Sequence, residues 1–106
     1  MAEYHMKSID DELVNKLKIA LSKYKEQLKT ATCFRDISEY HRDLSNAFSE
    51  VVDARSAAID NSFPCYEIGR MKFDPEYKIT IILDKNLEDL LNDVCEVLGE
   101  KHNWVK

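Results

Sequence analysis

Two stretches of this chain place their apolar positions at an unbroken rhythm of threes and fours. In the first, Leu13, Leu17, Ala20, Tyr24, Gln27 and Ala31 follow one another at this spacing, and Val14, Leu21 and Leu28 run beside them at sevens. In the second the series is Ile37, Tyr40, Leu44, Ala47, Val51, Ala54 and Ala58, widened by Phe48. An α-helix turns once every 3.6 residues, so each series collects on one face that must be covered. The first stretch is expected to be a helix over 8–31, opened by Ser8 and Asp11 at capping-box spacing. The second is expected over 36–59, with Asp36 and Glu39 in the same relation. The segment between them is short, which predicts an antiparallel αα-hairpin.

Charge supports that pairing. With Leu17 and Tyr24 at heptad a of the first helix, Lys16 and Lys23 take the flanking g positions. In the second helix, Asp43 and Glu50 take g before Leu44 and Val51. Turning the chain about residue 33 sets Lys16 opposite Glu50 and Lys23 opposite Asp43. Such exposed pairs stabilise little, about 0.2–1 kcal/mol each, but they fix register.

The period then changes. Tyr77, Ile79, Ile81 and Leu83 alternate with Lys78, Thr80 and Ile82, as in a half-buried strand. Tyr66 and Ile68, then Met71 and Phe73, read as a second strand whose phase flips at a bulge on Gly69. Asp74-Pro75-Glu76 supplies a turn. The expectation is a β-hairpin over 65–83. A last helix over 86–98 carries Leu87, Leu90, Leu91, Val94, Cys95 and Leu98 on one face, and a tail over 99–106 holds Trp104. The predicted fold is α+β, mainly helical, in the order α-α-β-β-α within a single domain, 1–106. A lone hairpin is marginal and its edges invite pairing. A homodimer joining two hairpins into a four-stranded sheet is the expected remedy.

Composition narrows the function. The chain has 106 residues, only 2 Gly and a formal net charge of −5. Few glycines argue against phosphate-cradling loops, and an acidic balance argues against nucleic-acid binding. No apolar run exceeds that of Ile81-Ile82-Leu83, far below the roughly 20 residues of a membrane span. No charged-then-apolar leader opens the chain, and its 3 cysteines are an odd number, so reduced thiols and a cytoplasmic location are expected. No CxxC or HxxxH spacing suggests a metal, and no cofactor is expected.

Catalytic patterns are thin. Asp36-x-x-Glu39 and Glu50-x-x-Asp53 resemble the paired acidic motifs with which helical nucleotide hydrolases hold Mg²⁺. On one helix, 14 residues apart, they would sit roughly 21 Å from each other, too far for one metal cluster. Cys33 and His41 lack an orienting third group. Rows of carboxylates on the second and last helices suggest a mimic of DNA phosphate, but Arg35, Arg42 and Arg55 interrupt that field. The remaining reading is a non-catalytic, acidic, cytoplasmic protein that acts by binding another protein. Its class would be an inhibitor, immunity protein, antitoxin or adaptor, and a basic partner would be attracted fastest. Candidate contact residues are Trp104, Ile19, Phe63 and Ile82, which have no evident place in the hairpin core, and the carboxylates Asp53 and Asp60.

Overall fold

A computed structural model of the chain describes residues 2–99. A strand, β1 (Ala2–His5), leads into helix α1 (Asp11–Leu28). A 3₁₀ turn (Phe34–Asp36) connects it to helix α2 (Ser38–Asp60). Helix α3 (Cys65–Phe73), strand β2 (Ile79–Ile82) and helix α4 (Lys85–Gly99) complete the order. The molecule is elongated, 59 × 26 × 18 Å.

Helices α1 and α2 form the expected antiparallel hairpin. Lys16 meets Glu50 at 3.2 Å, and the Tyr24 and His41 rings lie 6.0 Å apart. One number falls as its partner rises, as an antiparallel seam requires. The deepest line on α1 runs through Leu17, Leu21 and Tyr24, rotated slightly from the Leu13–Ala20 edge, which stays half-buried. On α2 it runs through Leu44, Ala47, Val51 and Ala58, with Ile37 buried just before the helix. Lys23 and Asp43 line a shared groove without closing an ion pair.

The helix ends differ from expectation in informative ways. Asp10, not Ser8, caps α1, its carboxylate accepting the Glu12 amide at 2.9 Å. Helix α2 starts at Ser38 because Asp36 turns the other way. Its carboxylate accepts both the amide and the hydroxyl of Thr32, at 2.9 and 3.1 Å. The amide bond above all, then the hydroxyl, hold the Asp36 carboxyl below the usual carboxylate range. Asp36 therefore closes the interhelical loop and does not pair with Glu39 as a cap.

Helix α4 packs Leu87, Leu91 and Val94 into the same core. Asp84 Oδ1 accepts the Leu87 amide at 3.2 Å and starts the helix. Arg55 of α2 and Glu88 of α4 form a two-pronged ion pair, both contacts at 2.6 Å and both side chains 26% exposed. This bidentate geometry ties α4 to α2 in one orientation. Cys95, expected among the apolar residues of this helix, is exposed, as is Cys65; Cys33 is half-buried. All three thiols are free.

The predicted β-hairpin over 65–83 is not formed. Residues Cys65–Phe73 are helical, so no bulge exists at Gly69, and β2 pairs with β1 instead. The pairing is parallel, Ala2 opposite Ile79 and Tyr4 opposite Ile81. Apolar residues at 66, 68, 71 and 73 fit a short strand and a short helix equally well, and Pro64 at the N-cap suits a helix start. The Asp74-Pro75-Glu76 turn does form, with the Tyr77 amide donating to the Asp74 carbonyl at 3.0 Å, but it joins α3 to β2. The fold is thus mainly helical with a small parallel sheet. Without the hairpin, the four-stranded dimer built from it loses its premise.

The seam predicts the stability ranking. Leu44→Ala, at a site with 0% exposure, should cost about 2–5 kcal/mol by chemical denaturation. A double-mutant cycle on Arg55 and Glu88 should give a coupling of about 1–2 kcal/mol, above the 0.2–1 expected for exposed Lys16–Glu50. Equal coupling at the two pairs would reject the structural role given to Arg55.

Candidate protein-binding surface

Helix α3 stands apart from the helical core. Of its nine residues, the buried one is Glu67, only 4% exposed. A carboxylate this buried requires donors, and two tyrosines supply them. Tyr4 Oη on β1 donates to Glu67 Oε1 at 3.1 Å. Tyr77 Oη, in the approach to β2, donates to Glu67 Oε2. The Arg70 guanidinium of α3 lies 4.3 Å from the centroid of the Tyr77 ring, a cation–π contact between the helix and the approach to β2. These contacts fasten α3 to the sheet through polar groups at a single turn.

The node leaves its mark on the phenols. Burial, then the hydrogen bond to Glu67, pushes the Tyr4 hydroxyl up to about 12. Tyr77 is raised by the Glu67 hydrogen bond first and burial second. Both phenols are needed in their protonated form, because a phenolate cannot donate and would face the carboxylate.

The apolar side chains of α3 point elsewhere. Tyr66, Ile68, Met71 and Phe73 are all exposed, Tyr66 to 69% and Phe73 to 93%. Ile82 and Leu83, in and just after β2, are exposed too. Six of the eight large hydrophobic side chains exposed among the described residues therefore fall between 66 and 83; the others are Ile19 and Phe34. The same region is electrically balanced. Residues 61–85 carry four acidic and four basic groups, whereas 32–60 carry an acidic excess of three.

The sequence-derived contact residues are dispersed over this structure. Ile82 lies on the outer face of the sheet with Glu3, His5 and Thr80, and Ile19 is an isolated exposed residue on α1. Phe63 is half-buried, its ring 6.4 Å from that of Tyr4. Phe63 and Asp60 share an open groove with Tyr4, Lys7 and Pro64, while Asp53 is exposed on α2. Trp104 lies outside the described residues. Sequence reasoning passed over Tyr66 and Phe73 because it placed them in a strand. Their spacing of seven, with Gly69 between, was the available signal for one helical face.

Of the four carboxylates in the paired acidic motifs, Asp36 holds Thr32 and Glu50 meets Lys16. Glu88, from the carboxylate row of the last helix, holds Arg55. Among the described residues, no three His, Cys, Asp or Glu side chains are grouped to hold a metal ion. No helix among them is long and apolar enough to cross a membrane. No protein-family model matches the chain, and no similar protein emerges from comparison with curated sequences or with solved structures.

The Glu67 node makes a pH prediction. The folded pKa of Tyr4 lies above its unfolded value near 10. Its stabilising contribution is therefore complete below pH 10 and is lost as pH rises toward about 12. Phenolate absorbance should show a late-titrating component in the native protein that shrinks in Tyr4→Phe and moves to lower pH in Glu67→Ala. Five tyrosines titrating together near 10 would show that the node does not persist in solution.

Proposed function

We propose that this chain acts by binding protein and catalyses no reaction, with the segment 66–83 as its contact surface. The observation that carries the reading is the concentration of exposed apolar side chains there, on a helix that buries one carboxylate and no hydrophobic residue. Single exposed hydrophobic residues are ordinary on a monomer, whereas six of the eight among the described residues falling within one short segment point to a contact there. Exposed aromatic and methionine side chains are favoured anchors in such contacts. The role is that of an inhibitor, immunity protein, antitoxin or adaptor, in a cytoplasmic setting where the three thiols stay reduced. The acidic face of α2 would speed encounter with a basic partner, and the apolar segment would hold the complex.

The test is affinity capture at matched expression of the wild-type chain and Phe73→Lys, with bound proteins quantified by mass spectrometry. Phe73 is almost fully exposed, so the substitution should leave the fold intact, as circular dichroism would verify. One stoichiometric protein, a second copy of the chain included, should come down with the wild type and be reduced at least about tenfold with the variant. Equal recovery with both chains would remove the segment from the contact. Recovery of nothing, not even another copy, would overturn the binding role.

A further inference from the structure

The sheet is unfinished on one side. Its two strands pair with each other and with no third strand among the described residues. The even-numbered residues turn their backbone groups inward, with the Ala2 amide donating to the Lys78 carbonyl at 3.2 Å and the Met6 amide to the Ile82 carbonyl at 2.9 Å. Backbone groups alternate sides along a strand, so those of Glu3 and His5 in β1, and of Ile79 and Ile81 in β2, point outward. The outer side of β1 runs on into the turn between α2 and α3, where the Lys7 amide donates to Ser62 Oγ at 3.0 Å. The outer side of β2 has no such neighbour. Among the described residues, no hydrogen bond reaches the outward N–H or C=O of Ile79 or Ile81. Edge strands are normally blunted by charge, proline or a bulge. β2 reads Ile-Thr-Ile-Ile in continuous register and carries none of these.

We propose that this edge is a docking site for an extended segment of another protein, which adds to the sheet as a third strand beside β2. Outward N–H and C=O groups at strand spacing are complementary to an extended backbone, whereas a helix satisfies its own backbone groups and has none to offer. The site is short, four residues long, and at about 3.3 Å per residue it takes roughly four to six residues of the partner.

The alternation of side chains gives the segment its chemistry. On one face it continues the row of Ile79 and Ile81, both half-buried, and takes apolar side chains. On the other face it continues Lys78, Thr80 and Ile82, all exposed. Lys78 makes no ion pair among the described residues, so a carboxylate suits the position opposite it. Ile82, 39% exposed, takes a β-branched or aromatic neighbour on the same face. The occupant is thus an alternating apolar strand with an acidic side chain at one end of its outer row. That charge is local and is compatible with a partner that is basic elsewhere.

The inference rests on the binding role proposed above and names the chemistry of the partner. The probe is a phage-displayed library of random peptides, panned against the full chain. Retained sequences should be apolar at every second position and carry a carboxylate between. Synthetic copies N-methylated at one backbone amide at a time should lose affinity at least about tenfold at alternate positions only. On the protein, Ile79→Pro removes one outward N–H at the first residue of the strand, where proline is tolerated. Ile79→Ala removes the same side chain and keeps the N–H. Peptide affinity should be at least about tenfold lower in Ile79→Pro than in Ile79→Ala, with matching circular dichroism. Hydrogen exchange on the wild type needs no substitution. The free chain should exchange the Ile79 and Ile81 amides faster than those of Thr80 and Ile82, and bound peptide should slow the first pair.

Slow exchange at Ile79 and Ile81 in the free chain would mean that the edge is already covered, and would overturn the site. A library that yields no peptide, or a methylation scan without a period of two, would do the same. Self-association that Ile79→Pro abolishes would make a second copy the occupant and overturn the proposed partner. A protein captured in a Phe73-dependent way while the peptide arm fails would overturn the edge and leave the binding role standing. Failure of both would overturn both.

Discussion

The helical core of this molecule hangs on the apolar seam between α1 and α2. Leu17, Leu21 and Tyr24 on one helix and Leu44, Ala47 and Val51 on the other exclude water along most of the hairpin. Each helix alone would leave a stripe of hydrophobic surface exposed and would be marginal. Together they build a platform on which α4 lays Leu87, Leu91 and Val94. The ionic contacts select an arrangement of that platform. Lys16–Glu50 agrees with the register, and the Arg55–Glu88 fork fixes where α4 crosses α2. Asp36 completes the scheme at the closed end, where it folds the loop back onto Thr32.

The other end of the molecule follows a different logic. Its sheet has two short strands, and its helix buries no hydrophobic side chain. What holds it is Glu67, shared by Tyr4 and Tyr77. A buried carboxyl group with two phenol partners fixes direction strongly while contributing little apolar burial. One consequence is that α3 is held by its polar side and shows its aromatic side to solvent. A helix held in this way is well suited to present a contact surface, because its outward side chains have no structural duty toward the core.

Different parts of the fold were legible in the sequence to different degrees. The long helices announce themselves because their periodicity repeats over many turns, so single exceptions such as Gln27 do little damage. Lys16–Glu50 was readable from heptad position alone. The stretch 65–73 was not, since four apolar residues in nine suit either period and no local signal breaks the tie. The true partner of β2 was equally hidden. Ala2 pairs with Ile79 across nearly the whole chain, although Ala2, Tyr4 and Met6 alternating with Glu3, His5 and Lys7 did hint at a strand. On the candidate surface, Ile82 was marked as exposed by its place on the polar side of a strand. Tyr66 and Phe73 were missed along with their helix.

By itself the sequence determined the hairpin, its register, the apolar face of the last helix and the acidic balance of the chain. These depend on local periodicity and on charges a few residues from the seam, both of which are written along the chain. The tertiary structure alone decided that 65–73 is a helix, that the two strands run parallel, and that a buried Glu67 joins two distant tyrosines. It also decided which hydrophobic side chains remain in water. Exposure is a property of what the rest of the chain does or does not cover, and for α3 that depended on contacts from β1, more than sixty residues away.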